Sequence, residues 1–322
     1  MRTRKLSKEF MDAFRSGGKL YPILKWVQED DTLDLEIRDD YVNIYYRGGN
    51  LIRITRKNDS FEFFFDQEYD KSKKLQVPLP TAKVTDWIEK IPAIKEAMDK
   101  YFTAHKKEER EFQQLVVREN NNSSIANSTD YFIIDIEYDN QAEKSKSRFD
   151  LIALKWESDG SIRKNQKGTP CLAFIEMKYS KDALAGTSGM ANHLKGFQEY
   201  VKEVGKLVII KEMTDIFAQK RMLNLIPSLK HNKNPIAADA ISEDFEYIFL
   251  LANHNPESSK LAKELDNIAT LLQNRALIIS PKFCVANFMG YGLYKENIYT
   301  LEDFRKRFER QICSKPAVSL AL

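Results

Sequence analysis

The first eighty residues carry short apolar runs that predict β-strands. Four runs of six or seven residues are rich in β-branched and aromatic side chains, and Asp, Asn or Gly residues typical of tight turns separate them. The runs are LDLEIR (33–38), YVNIYY (41–46), LIRITRK (51–57) and FEFFFD (61–66). We therefore predict a β-meander and assign residues 1–90 to an N-terminal β-rich domain that selects a substrate, a partner or an oligomer.

The spacing of apolar residues along the sequence changes after residue 90. Apolar residues recur three and four positions apart between Ile94 and Val116, which predicts helix, and Pro92 suits its first turn. The chain then reads strand, strand, strand, helix, strand. The strands are predicted at 131–138, 148–156, 171–179 and 206–211, with an amphipathic helix over 190–201 before the last of them.

In the last third of the chain, some segments have the apolar spacing of helices and others the composition of strands. Helices are predicted at 214–229, 256–273 and 301–312, and strands at 247–253 and 276–280. Strands that alternate with helices indicate a mixed α/β fold with a central mixed sheet flanked by helices. Residues 91–322 are assigned to this second domain.

Composition narrows the class of protein. Hydrophobic residues make up 43% of the 322 residues and charged residues 30%, which is typical of a globular protein rather than a disordered one. No stretch reaches the roughly 18 apolar residues of a transmembrane helix, and the basic N-terminus lacks the apolar run of a secretory signal. The three cysteines have no metal-binding spacing, which favours reduced thiols in a cytoplasmic protein.

Two carboxylates and an ammonium group are predicted to meet at one end of the sheet. In CLAFIEMKY (171–179), period two places Glu176 and Lys178 on one face near the end of the strand. A hairpin would run 148–156 antiparallel to this strand, which brings Asp150 beside Glu176. Carboxylate oxygens in that arrangement suit Mg²⁺ or Mn²⁺. The alternative is a surface Glu–Lys pair with a solvated Asp150.

These residues resemble the signature of the PD-(D/E)xK nuclease superfamily, which has the restriction-endonuclease-like fold. Asp150 and the sequence Glu176-Met177-Lys178 match the signature, while Phe149 stands at the place of its proline, a replacement common in the superfamily. The superfamily core runs helix, three antiparallel strands, helix, strand, and residues 100–211 are predicted in this order. The resemblance covers about the middle third of the chain.

The resemblance implies a role for each residue of the signature. Asp150, Glu176 and the backbone carbonyl of Met177 would bind Mg²⁺, with Mn²⁺ as a substitute, and Lys178 would orient the attacking water and stabilise the transition state. Many members also carry a glutamate on the preceding helix, which points to Glu119 as a further metal ligand. An exposed glutamate at a frayed helix end is the alternative, and Glu108 is a weaker candidate.

Further candidates for substrate contact lie outside the signature. The superfamily often places a Gln, Lys or His on the helix after the signature strand, which indicates Gln198 for catalysis and His193 for nucleic-acid contact. A polar residue at the edge of the core is the alternative for both. On the predicted hairpin loop, Arg163, Lys164 and Lys167 could reach phosphates.

A metal-dependent nuclease acting on DNA is therefore expected, with a restriction, repair or anti-phage role by analogy. Nucleic acid would be the partner, no membrane is expected, and a homodimer is an open option. The net charge of +3 neither requires nor excludes binding to nucleic acid, because a chain with nearly equal numbers of acidic and basic residues can still have local basic patches. Two alternatives stay open, namely a nuclease-fold protein that binds or scaffolds without turnover, and an RNA-directed nuclease.

Overall fold

Two β-sheets organise the chain. The computed structural model describes residues 4–106, 108–139, 148–159, 162–163, 168–179, 184, 186, 189–230, 236–252, 258–286, 290 and 292–308. Within these ranges the fold is mixed α/β, with eight α-helices, a four-stranded antiparallel sheet and a five-stranded mixed sheet. The predicted fold class is confirmed at this level.

The first sheet is the predicted β-meander. Its strands pair in chain order and comprise β1 (Leu33–Ile37), β2 (Tyr41–Tyr46), β3 (Gly49–Lys57) and β4 (Ser60–Phe64). Gly48, in the turn between β2 and β3, has a φ of 72°, and a side chain there would collide with the backbone of Arg110. This turn is thus packed tightly against the helix that precedes the second sheet.

Two helices precede this sheet and were not predicted. They are α1 (Lys8–Phe14) and α2 (Tyr21–Glu29). Their apolar residues recur at helical spacing, since Phe10 and Phe14 are buried in α1 and Ile23 and Val27 in α2. Because β-forming runs are abundant after residue 33, the whole N-terminal part was predicted to be β-rich and these short helices were missed.

A long helix connects the two sheets. α3 (Val84–Ala104) begins eight residues before Pro92, so the predicted first-turn position of this proline is wrong and Pro92 lies inside the helix, on its exposed side. α3 runs through residue 90, where the sequence placed a domain boundary. α4 (Glu108–Val117) follows and continues into a π-helical segment, Arg118–Asn122.

The second sheet contains three antiparallel strands followed by two parallel ones. These are β5 (Tyr131–Asp139), β6 (Arg148–Lys155), β7 (Cys171–Tyr179), β8 (Ser242–Ala252) and β9 (Lys282–Ala286), in that spatial order. β7 to β8 and β8 to β9 are the parallel pairs. The helices are α5 (Met190–Val204) and α6 (Lys206–Met222) before β8, α7 (Ser259–Gln273) before β9, and α8 (Leu301–Phe308) after it.

Two strand predictions in this region are wrong. Residues 206–211 begin α6, because Ile209, Met213 and Ile216 are buried at helical spacing while Leu207 is 69% exposed. Residues 276–280 precede a strand rather than form one, and Ile278 among them is 81% exposed. Both runs are rich in Ile and Val or Leu, and composition alone made them resemble strands.

The two sheets share one apolar core and a set of buried ion pairs. The largest cluster of buried side chains extends from Phe10 and Ile44 in the N-terminal part to Phe174 and Phe249 in the second sheet. Lys220 of α6 donates to Glu36 of β1 over 2.6 Å, and both side chains are almost completely buried. No α-helix in the described ranges is long and apolar enough to cross a membrane.

Candidate active site

The pairing of β6 with β7 places Asp150 beside the end of the signature strand. Leu151 pairs with Ile175 and Ile152 with Phe174, as antiparallel pairing of the two predicted strands requires. Two residues after Ile175, the backbone N–H of Met177 donates over 2.8 Å to Oδ2 of Asp150, which directly precedes Leu151. The ladder therefore ends where the Asp150 carboxylate replaces a strand carbonyl as the acceptor.

Glu176 and Lys178 form a buried ion pair on the same face of β7. Lys178 Nζ donates to Glu176 Oε1 over 2.7 Å, and the two side chains are 3% and 4% exposed. Nδ1 of His193, on the first turn of α5, lies 3.1 Å from the same oxygen. The other oxygen, Glu176 Oε2, is buried and accepts no hydrogen bond from the described part of the chain.

The carboxylates raise one another's pKa. Burial is the main cause of the raised pKa of Asp150, and the charges of Glu176 and Glu109 add to it. Burial likewise raises the pKa of Glu176 to about 7, although the ammonium of Lys178 opposes this. A carboxylate whose pKa stays raised is one for which the nearby cations do not offset the cost of burial and the repulsion of other carboxylates.

Glu109, which sequence reasoning missed, supplies the helix carboxylate. It lies on the first turn of α4, and its Oε2 accepts from the Tyr179 N–H over 3.4 Å. Burial raises its pKa, and Lys178 is the strongest opposing charge. Phe112, one turn later, stacks on Tyr179 with ring centroids 4.9 Å apart, and this tertiary contact holds the start of α4 against the end of β7.

Glu119, the predicted helix ligand, lies elsewhere. It belongs to the π-helical segment after α4, ten residues beyond Glu109, and a helix rises about 15 Å over that length. Glu108, the weaker candidate, is the first residue of α4 and is adjacent to Glu109 in sequence. The glutamate of this helical stretch that lies at the carboxylate cluster is therefore Glu109 rather than the predicted Glu119.

Glu137 of β5 completes the rim of the site. The register of β5 and β6 places it opposite Asp150, and its φ of 50° is unusual for a residue inside a strand. Its carboxylate lies 3.3 Å from Arg110 and 4.0 Å from Arg148. Two partly exposed guanidinium groups therefore stand at the edge of the carboxylate cluster.

Two other predicted site residues have structural contacts instead. Gln198 is five residues beyond His193, which turns it by about 140° around α5, and its Oε1 accepts the Ile278 N–H over 2.7 Å. The Arg163 guanidinium is buried and donates to the carbonyl oxygens of Asn127, Thr129 and Trp156. Burial lowers its pKa to about 10. The predictions of a phosphate contact for both residues are corrected accordingly, whereas Lys164 and Lys167 lie outside the described residues.

The donor set fits a hard divalent cation through its chemistry rather than through a preformed cage. Among the residues that the structure describes, no cluster of three or more Asp, Glu, His or Cys has the arrangement of a metal site. Asp150 and the unpartnered Oε2 of Glu176 nevertheless supply two carboxylates on adjacent strands. Burial, and then the neighbouring carboxylates, raise their pKa values, and a bound cation would oppose both effects by stabilising the charged forms.

Comparisons of the chain with protein-family models, with curated proteins and with solved structures find no match.

Proposed function

We propose that the protein is a Mg²⁺-dependent nuclease that hydrolyses phosphodiester bonds in DNA. The observation that carries the proposal is the pair of carboxylates on adjacent strands, Asp150 and Glu176, with Lys178 on the same face as Glu176. One oxygen of Glu176 is buried without a partner among the described residues. A carboxylate in that state is available to a cation without breaking a hydrogen bond.

The order of elements gives independent support. α4, the antiparallel strands β5, β6 and β7, then helices and the parallel strand β8 follow the order of a restriction-endonuclease-like core. Two consecutive helices, α5 and α6, occupy the place of one in that order. The proposed core thus includes β8 in place of the wrongly predicted strand at 206–211.

Each residue has a role that its position allows. Asp150, Glu176 and the Met177 carbonyl would hold the metal ion, which would polarise the phosphate and lower the pKa of a bound water. Lys178 would turn from Glu176 towards the scissile phosphate and offset the charge that grows in the transition state. His193 would hold Glu176 in place, and Arg110 and Arg148 at the rim would contact flanking phosphates.

A cleavage assay tests the proposal. Wild type, Glu176→Gln, Asp150→Asn and the control Glu119→Gln are incubated with plasmid, linear DNA and RNA in Mg²⁺, Mn²⁺ or EDTA. We expect wild type and the control to cut DNA with either metal, and both site variants to lose at least about a hundredfold in rate. Equal cleavage by Glu176→Gln and wild type, or cleavage in EDTA, would remove this site as the catalytic centre.

A second candidate is a nuclease-fold protein that binds nucleic acid without cutting it. The observation that favours it is the enclosure of Glu176 and Lys178, which are 3% and 4% exposed and paired with each other. The same assay separates the candidates when a gel-shift measurement is added. Retention of DNA without cleavage, unchanged by EDTA and by Glu176→Gln, is the result expected of the binding protein.

A further inference from the structure

A small polar pocket lies between residues 27–35 of the N-terminal part and the turns that follow the π-helical segment and α6. Its volume is about 170 Å³. A water molecule occupies about 30 Å³ in the liquid, so the pocket has room for an ion with a few waters. Organic ligands usually occupy sites of about 300 Å³ or more. The size of the pocket therefore favours an ion over a small organic molecule.

Asp34 gives the pocket a buried carboxylate. This residue of β1 lines the pocket and is 8% exposed. Its Oδ2 is buried and accepts no hydrogen bond from the described part of the chain. A buried carboxylate oxygen without a partner is unfavourable, and a cation in the pocket would offset that cost.

Every polar side chain that lines the pocket has an oxygen donor. These side chains are the carboxylates of Asp31 and Asp34 and the amides of Gln28, Asn122 and Asn224. No Lys, Arg, His or Cys is among the lining residues that the structure describes. Asp31 is exposed, and the guanidinium of Arg118 lies 3.9 Å from it, beyond the length of a hydrogen bond. Two carboxylates with amide oxygens suit a hard divalent cation rather than Zn²⁺ or Cu²⁺.

Three separate parts of the chain bring the amides to the pocket. Gln28 Nε2 donates to the Leu223 carbonyl over 2.7 Å, which leaves Oε1 of this amide for a cation. Asn224 has a φ of 51°, a left-handed conformation that Asn adopts more readily than most residues, and Asn122 ends the π-helical segment. Ca²⁺ accepts six to eight oxygen ligands in flexible geometry, whereas Mg²⁺ requires a near-ideal octahedron. Donors from such unrelated elements favour Ca²⁺.

We propose that this pocket binds Ca²⁺ through the carboxylates of Asp31 and Asp34 and the amide oxygens of Gln28, Asn122 and Asn224, with water as the remaining ligands. The ion would join the N-terminal part of the chain to the segment before β5 and to the turn after α6. The proposal is independent of the nuclease reaction, because none of these residues belongs to the proposed nuclease site.

Equilibrium dialysis of the full chain against radioactive Ca²⁺ tests the proposal. Every sample carries Glu176→Gln, since this change removes a ligand of the proposed nuclease site. We expect one Ca²⁺ per chain with a dissociation constant of about 10⁻⁴ M, as in weak sites with few carboxylates. Asp34→Asn should weaken binding at least about tenfold, because the buried charge is lost. Asp59→Asn is the matched control, because it removes one carboxylate from the β3–β4 turn of the same sheet.

Urea denaturation gives a second measurement that does not depend on a change at Asp34. Ca²⁺ should raise the urea midpoint of the Glu176→Gln protein, since a ligand that binds only the folded state stabilises it. Asn224→Gly keeps the left-handed backbone and removes one amide ligand. It should therefore weaken Ca²⁺ binding about threefold to tenfold and reduce the rise in midpoint.

Three results would overturn the proposal. If no Ca²⁺ binds at millimolar concentration and the urea midpoint does not rise, water alone occupies the pocket. Equal weakening by Asp34→Asn and Asp59→Asn would indicate a general attraction of Ca²⁺ to surface carboxylates. Tighter binding of Mg²⁺ than of Ca²⁺ would contradict the flexible oxygen site inferred from the lining.

Discussion

Asp135 and Asp150 stand on neighbouring strands of one sheet, but their surroundings shift their pKa values in opposite directions. Asp135 on β5 is completely buried and receives hydrogen bonds from Arg38 and, over 2.9 Å, from Arg4. These arginines hold its pKa below the usual value although burial alone would raise it. Asp150 on β6 is partly exposed, accepts a backbone N–H and has other carboxylates as its neighbours, so its pKa is raised.

The difference separates a structural charge from a candidate site. Both cations on Asp135 come from the N-terminal part of the chain, so this carboxylate attaches that part to the second sheet. A buried oxygen without a hydrogen bond does not by itself distinguish the two regions, because Glu36 Oε2 beside Asp135 also accepts none among the described residues, although Arg38 lies 3.8 Å away. What distinguishes the two aspartates is their direct partners: two guanidinium groups donate to Asp135, whereas a backbone N–H donates to Asp150 and the charges of Glu176 and Glu109 raise its pKa. A metal ion at Asp150 would offset these charges.

Removal of Arg38 should have the largest effect on stability. Arg38→Met leaves the buried Asp135 carboxylate with one cation fewer, and breaking a buried pair costs about 3–5 kcal/mol in the free energy of unfolding. Urea denaturation measures this loss. The exposed Arg53 is the control, and Arg53→Met should change the free energy of unfolding by no more than about 0.5 kcal/mol. Similar losses in both variants would show that Arg38 does not act through Asp135.

Removal of Lys178 should affect turnover rather than metal binding. Lys178→Ala loses the cation proposed to contact the transition state, and we expect a rate at least about a hundredfold lower. Mn²⁺ should bind as tightly as to wild type or more tightly, because a positive charge has left the site. A cleavage assay measures the rate, and calorimetric titration measures the affinity for Mn²⁺.

The titration belongs at about pH 8, since the loss of Lys178 raises the pKa of Glu176 further. Lys155→Ala is the control, because Lys155 pairs with Glu246 near the other end of the sheet. Normal cleavage by Lys178→Ala, or loss of turnover in the control, would make the Glu176–Lys178 contact a structural ion pair.

Glu176 and Asp135 should contribute to the pH dependence of stability with opposite signs. The folded-state pKa of Glu176 is raised to about 7, so the metal-free protein loses stability as the pH rises from about 4.5 to about 7. Glu176→Gln should remove up to about 3 kcal/mol of this loss. Asp135 has a lowered pKa, so its contribution is present above its unfolded value and is lost as the pH falls through the folded one.

Urea denaturation in EDTA between pH 3 and pH 8 measures both slopes. In the plot of unfolding free energy against pH, Glu176→Gln should flatten the part above pH 4.5 and leave the acid limb unchanged. Asp135→Asn should flatten the acid limb and also lower the overall stability. A neutral-range slope that survives in Glu176→Gln would assign it to another group, with Asp150→Asn as the next variant to measure.

Sequence periodicity predicted the strands that carry the site because both their apolar composition and the alternation of their side chains indicated a strand. β6 and β7 have apolar residues on both faces, and the alternation in 171–179 put Glu176 and Lys178 on one side, where the structure has them in contact. The run at 206–211 failed because β-branched composition outweighed a helical burial pattern that became visible only against the neighbouring strands.

The contacts that define the surroundings of the site could not be predicted, because they are tertiary. Nothing local distinguishes Asp135 from Asp150, since Arg4 and Arg38 lie 131 and 97 residues before Asp135 in sequence. Glu109 and Glu119 are both glutamates on one helical stretch, and which of them meets β7 depends on the packing of Phe112 against Tyr179.

Replacement of Glu109 should have the smallest effect on cleavage, and it tests whether the helix contributes to the site. Its charge raises the pKa of both Asp150 and Glu176, so Glu109→Gln should lower both values. The acid limb of the cleavage rate against pH should then move to lower pH by up to about one unit. If Glu109 also holds the metal, the rate at saturating pH should fall about tenfold and recover with more Mg²⁺.

Glu119→Gln is the matched control, because it makes the same change about 15 Å along the same helical stretch. It should leave both the pH profile and the Mg²⁺ dependence unchanged. A shift in Glu119→Gln with none in Glu109→Gln would restore the sequence-based assignment and would require the start of α4 to move away from Tyr179. A shift in neither would mean that the carboxylates of β6 and β7 set their pKa values without help from the helix.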